Sequence, residues 1–131
     1  MKFYVASSFK NIDKVRYVSK QLAQRGFTLT YDWTNPGEAL TLERLKEIGQ
    51  LEKRAVSEAD VVIVLLPAGK GIHIELGLAL GFGKKIILYA PDDEVNQIEK
   101  TSTFYQLDEV DQCIGTLDEL IDYVTATSIR V

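Results

Sequence analysis

The chain has 131 residues and a mass of 14.7 kDa, enough for one domain whose core needs neither disulfides nor a structural metal. Hydrophobic residues at 46% and charged residues at 26% exclude a disordered chain. A net charge of −4 and a pI near 5.0 argue against general affinity for a nucleic-acid polymer, which calls for clustered excess Lys and Arg.

The opening MKFYVASSF lacks the apolar core of a signal peptide, and no apolar run nears the roughly 18 residues of a membrane span. The one cysteine, Cys113, cannot form an intramolecular disulfide or a Cys-rich metal or redox motif, which suits a reducing compartment. A cytoplasmic protein without a membrane partner, a bound metal or an organic cofactor is the expectation.

Phe3 to Ala6 is a short β-forming run that breaks at Ser7-Ser8. Ile12, Val15, Val18 and Leu22 follow at helical spacing, with Gly26 just past the helix end. Phe27, Leu29, Tyr31 and Trp33 then alternate with Thr28, Thr30 and Asp32, the period of a half-buried strand that Asn35-Pro36-Gly37 closes. From about Leu40 to Ala59, Leu45, Ile48, Ala55, Val56 and Ala59 share one helical stripe. Glu52 lies on that stripe, four residues from both Ile48 and Val56, either facing the sheet or turning its head outward from the margin.

Val61 to Leu66 is an unbroken apolar strand that opens through Pro67 into Gly69-Lys70-Gly71 and a mostly apolar helix. Ile86 to Tyr89 is a further strand, and the polar, acidic stretch Pro91 to Thr101 reads as a loop. The fifth strand falls at Thr103 to Gln106 or nearer Val110 to Ile114. Thr116 to Thr127 is a closing helix, with Thr116 and Glu119 at capping-box spacing.

Strands alternating with helices predict an α/β, flavodoxin-like (Rossmann-like), doubly wound sheet of about five mainly parallel strands in the order 2-1-3-4-5, with helices on both faces. In that order the ligand crevice lies between the carboxyl ends of the first and third strands. Those ends are Ser7-Ser8-Phe9-Lys10 and Pro67 to Gly71.

The Gly69-Lys70-Gly71 turn offers backbone N–H groups and a lysine to an anion, yet it fits neither GxGxxG nor GxxxxGK[ST]; a tight connection that needs glycine explains it equally well. Glu75 stands in the first turn of the next helix between Ile74 and Leu76. A capping box would place Ser or Thr at position 72, where the chain has Ile, and the helix dipole favours an ionised carboxylate there. An ionised carboxylate beside an organic ligand has the character of a nucleophile toward a sugar carbon. His73, two residues away, points elsewhere; Asp60 at a strand start reads as structural; Gly77 and Gly81, four apart, suit close packing of the helix on the sheet.

Ala59-Asp60-Val61-Val62 leading into Gly71-Ile72-His73-Ile74-Glu75-Leu76-Gly77, after FYVASSF, resembles the nucleoside 2-deoxyribosyltransferase family and its deoxynucleoside monophosphate N-glycosidase relatives. The resemblance implies that Glu75, in the G-x-x-x-E-L-G block, attacks the anomeric carbon. It implies a second acid at Glu52, where the family usually has Asp. Ser7 matches a serine of the monophosphate hydrolases, whereas their loop serine has no counterpart in Ala68-Gly69-Lys70. Ser8 and Lys10 would join Ser7, Gly69, Lys70 and Gly71 around the ligand, and Asp32-Trp33 would reach its base or sugar or serve packing. The implied activity is cleavage of the N-glycosidic bond of a small-molecule nucleoside or nucleotide, with transfer to another base or to water. The family also implies a homodimer or higher homo-oligomer. An NAD-cleaving domain of the Toll/interleukin-receptor type and a non-catalytic nucleotide sensor are the alternatives.

Overall fold

The computed structural model describes residues 1–35, 41–69 and 71–128. Its centre is a five-stranded parallel sheet in the order β2-β1-β3-β4-β5, built from β1 (Lys2–Ala6), β2 (Thr28–Leu29), β3 (Val61–Leu65), β4 (Lys85–Ala90) and β5 (Val110–Ile114). The order is the predicted one. Helices α1 (Ile12–Gln24) and α4 (Leu117–Ser128) pack together, as do α2 (Leu42–Glu58) and α3 (Ile72–Gly81). The helices therefore cover both faces of the sheet in two pairs. Every residue of β3 is buried, which explains its unbroken apolar sequence: a central parallel strand has no solvent side.

The alternation from Phe27 to Trp33 predicts a longer second strand than the two-residue β2. The ladder runs through Thr28 N–H to Met1 O and Thr30 N–H to Phe3 O, and then stops. At the next rung the Trp33 indole N–H donates to Val5 O at 2.6 Å, taking the place of a backbone donor. A side chain thus satisfies the buried carbonyl and the chain turns away.

Of the two positions for the fifth strand, Val110–Ile114 is correct; Thr103–Gln106 forms a 3₁₀ turn. The Pro91 to Thr101 stretch contains a second 3₁₀ turn, Asp93–Asn96, capped by the Asp92 carboxylate accepting from Glu94 N–H. α2 starts after Thr41, whose hydroxyl accepts from Arg44 N–H; Leu40 and the Pro36-Gly37 turn lie outside the described residues. Leu45, placed on the inner stripe by periodicity, is exposed near the helix start.

Gly77 and Gly81 do not pack on the sheet. Both are exposed, and a Cβ on either would meet nothing within 4 Å, so they lie on the outer face of α3. Gly26 follows α1 with φ 91°, a left-handed angle that glycine adopts without a steric penalty. Asp60 is structural as expected, accepting from the Lys2 backbone N–H at 2.8 Å.

The capping box at α4 is complete. Glu119 N–H donates to Thr116 Oγ1 at 3.1 Å, and Thr116 N–H donates to Glu119 Oε1 at 3.0 Å. Thr116→Ala is expected to lower stability by about 1 kcal/mol, seen as a lower urea midpoint with an unchanged slope.

Candidate active site

α3 is aimed by its buried residues Ile72, Leu76 and Ala79, which fix its rotation against the sheet. That rotation leaves Glu75 partly buried at the first turn and turns it toward β1 and α2. Gly71 precedes the helix without a side-chain cap, so Glu75 is not engaged as a capping partner. Its electrostatic neighbours are Tyr4, from the middle of β1, and Glu52, from the inner side of α2. Tyr31, just beyond β2, also acts on the Tyr4 phenol.

Burial dominates this cluster. It pushes the Glu75 carboxyl up to about 7; the Tyr4 phenol pulls the other way, and the Glu52 charge raises it further. The dipole at the start of α3 does not outweigh desolvation, so the expectation of a fully ionised carboxylate gives way to one that titrates near neutrality. Burial raises Glu52 as well. Tyr4 is raised by burial first and then by the charges of Glu75 and Glu52. Tyr4 Oη and Glu75 Oε2 are both shut off from solvent, and neither completes a well-formed hydrogen bond among the described residues. The phenol is near enough to favour the charged carboxylate without closing on it.

The neighbouring wall joins the turns after β1 and β3. Ser7 Oγ donates to Leu65 O at 2.9 Å, while the Asn11 amide donates to Ser7 Oγ at 2.9 Å and to Pro67 O at 2.6 Å. Asn11 is a buried polar residue, and its one side chain ties the two turns together. Ser7 has thus spent its proton inside the protein and presents only an acceptor lone pair to a ligand. Ser8 is partly buried and its carbonyl accepts from Asn11 N–H, closing the 3₁₀ turn Phe9–Asn11. Lys10 is exposed on that turn.

Gly69 and Gly71 are exposed, and their carbonyls accept from Ile72 N–H and Ile74 N–H as α3 begins. Lys70 lies outside the described residues. Asp32 is committed to its own turn: Oδ1 accepts from the Thr34 backbone N–H at 2.9 Å and the Thr34 hydroxyl at 2.6 Å. Trp33 is buried, with its ring edge-on to Phe9 at 5.5 Å between centroids. Both stand at the β1 end of the crevice with their polar atoms engaged. His73 turns to the β4–β5 connection, where Nε2 lies 3.0 Å from Tyr105 Oη. Among the described residues no group of three or more His, Cys, Asp or Glu is arranged to hold a metal ion.

Tyr4 and Asn11 are the residues that sequence reading missed. Tyr4 did carry a signal, since a phenol amid the buried run Phe3 to Ala6 needs a polar neighbour. Asn11 carried none, because its role depends on a carbonyl 56 residues away.

A buried carboxyl raised from 4.5 to about 7 takes up protons on folding, so its burden on stability appears as pH rises from 4.5 and is complete above 7. Glu75→Gln is expected to be about as stable as wild type at pH 4.5 and more stable at pH 8, by on the order of 1–3 kcal/mol. Thermal melts of both proteins across that range check the crossover.

The chain matches the family described as Nucleoside 2-deoxyribosyltransferase over residues 3–110. No curated protein matches it. Among solved structures it is similar to the CMP N-glycosidase BcmB of Clostridium botulinum, with 19% identity, a TM-score of 0.67 and coverage of 95% of this chain and 99% of that one. It is similar to a 2-deoxyribosyltransferase of Bacillus psychrosaccharolyticus, with 20% identity, a TM-score of 0.69 and coverage of 97% and 95%. The solution structure of BlsM aligns at 14% identity and a TM-score of 0.63, covering 99% and 95%. At these identities the structures speak to the fold. The family match covers β1 through the start of β5, with Tyr4, Glu52 and Glu75 inside it, and the chain therefore belongs to the nucleoside 2-deoxyribosyltransferase family.

Proposed function

We propose that this protein, acting as a single domain in the cytoplasm, cleaves the N-glycosidic bond of a nucleoside or nucleotide with Glu75 as nucleophile. The observation that carries the reading is the partly buried Glu75 carboxyl beside Tyr4 and a second raised acid, Glu52. A Glu75 oxygen attacks C1′, the C1′–N bond breaks, and its electron pair leaves with the base. The base nitrogen takes up a proton delivered from solvent through Glu52, the second acid beside Glu75. A second base or water then attacks C1′ and frees the Glu75 carboxylate, giving transfer or hydrolysis. Two carboxyls around an oxocarbenium-like transition state suit a double displacement.

The sugar and any 5′ group rest against Ser7, Ser8, Lys10 and the Gly69-Lys70-Gly71 turn. Ser7 acts there as an acceptor, so the donors to a phosphate would be backbone amides and the lysines. Asp32 and Trp33 shape the β1 end and hold it rigid.

Incubation with deoxynucleosides, deoxynucleoside monophosphates and NAD, followed by chromatography for free base or nicotinamide, tests the reaction. Base release is expected, abolished in Glu75→Ala. In wild type, kcat/KM should rise with pH to an inflection near 7 as Glu75 ionises. Full activity in Glu75→Ala would falsify the proposal. Nicotinamide release would favour the NAD-cleaving reading, and binding without release the sensor.

We also propose that the protein is a homodimer or larger. α3 is apolar on nearly all sides, a composition suited to burial all round. Yet Ile74 is 71% exposed, Phe82 is 45% exposed, and Gly77 and Gly81 lie open beside them. Light scattering should give at least twice the chain mass, and Ile74→Asp should shift it toward the monomer.

A further inference from the structure

The β4–β5 connection, residues 91–109, carries no α-helix of its own. Its two 3₁₀ turns arch over a recess at the carboxyl ends of β3 and β4. The recess has a volume of about 270 Å³. Its apolar lining comes from Leu66, Ala68, Ala90, Val95 and Tyr105. This space lies on the far side of the Pro67-Ala68 turn from Ser7 and Asn11, toward β4, whereas Glu75 is turned toward β1 and α2.

The rim is acidic. Asp92 uses Oδ1 to cap the first 3₁₀ turn, and Glu94 uses Oε1 to pair with Lys100 at 2.8 Å. The second oxygen of each takes no hydrogen bond among the described residues. The recess therefore pairs an apolar lining with carboxylate acceptors at its mouth. It suits a ring carrying N–H donors, and its volume admits a ring-sized molecule.

We infer that this recess is a second binding site, for a free nucleobase, separate from the crevice that holds Glu75. The identification of the ring as a nucleobase rests on the proposed reaction, which releases one. Occupancy would be felt at the nucleophile, because the Tyr105 ring that lines the slot contacts His73 through its hydroxyl, and His73 stands two residues before Glu75 in the first turn of α3. The base in the recess acts as a product-side ligand that biases the start of α3.

The test is a methyl-resolved NMR titration of the full chain with adenine and with cytosine, repeated in Glu75→Ala. Saturable shifts at the Ala68, Ala90 and Val95 methyls are expected in both proteins. Ala90→Leu, which fills the slot, should abolish them, and Asp92→Asn, which keeps the cap but removes the charge, should weaken binding at least fivefold. Shifts confined to residues around Glu75, no shifts with either base, or recess shifts indifferent to both variants would overturn the inference. Because the readout is binding in a variant lacking the nucleophile, its failure is separable from failure of the glycosidic reaction.

Discussion

The parallel pairing of β1 with β3 is the constraint on which the rest depends. Phe3 opposite Val61 through Ala6 opposite Val64 sets the register. That register delivers the turn after β1 and the turn after β3 to the same end of the sheet, where one amide, Asn11, can span them. It also presents the Tyr4 hydroxyl to the first turn of α3. Slipping the pair by one residue would send Tyr4 to the opposite face and leave Glu75 without its phenol.

The site follows from a conflict that this packing creates. A parallel sheet covered on both faces excludes water, and Glu75 and Glu52 are brought into that shelter on two adjacent helices. Among the described residues neither acid gains a cationic partner in the crevice. Burial outweighs the help of the Tyr4 phenol, and that balance sets Glu75 near neutrality rather than in the ordinary carboxylate range. Such tension is common where chemistry is done, and it is the reason the apolar surroundings of Glu75 are informative.

Much of the architecture was legible because it rests on local period and on a topological rule. The unbroken run of β3, the spacing of Val15, Val18 and Leu22, and the Thr116/Glu119 pair each announce their element. The end of β2 was not legible, since the rung that replaces it comes from a tryptophan side chain rather than from the backbone pattern. Glu75 and Glu52 stood out by their neighbours in sequence. Tyr4, Asn11 and the Tyr105–His73 contact did not, because each depends on a partner at least 32 residues away in the chain. The outer face of α3 misled for a related reason: glycines four apart look the same in sequence whether they face a sheet or an unfilled side.

The bond from Trp33 to Val5 O has a further consequence. The chain has one tryptophan, and its indole is buried against the carboxyl half of β1, with Phe9 of the crevice turn edge-on to it. Intrinsic tryptophan emission thus comes from a single fluorophore fixed to the crevice wall. Its colour reports the integrity of the β1–β2 corner, and its intensity registers movement of the Phe9 turn, so the protein carries its own optical gauge of the site without an added label.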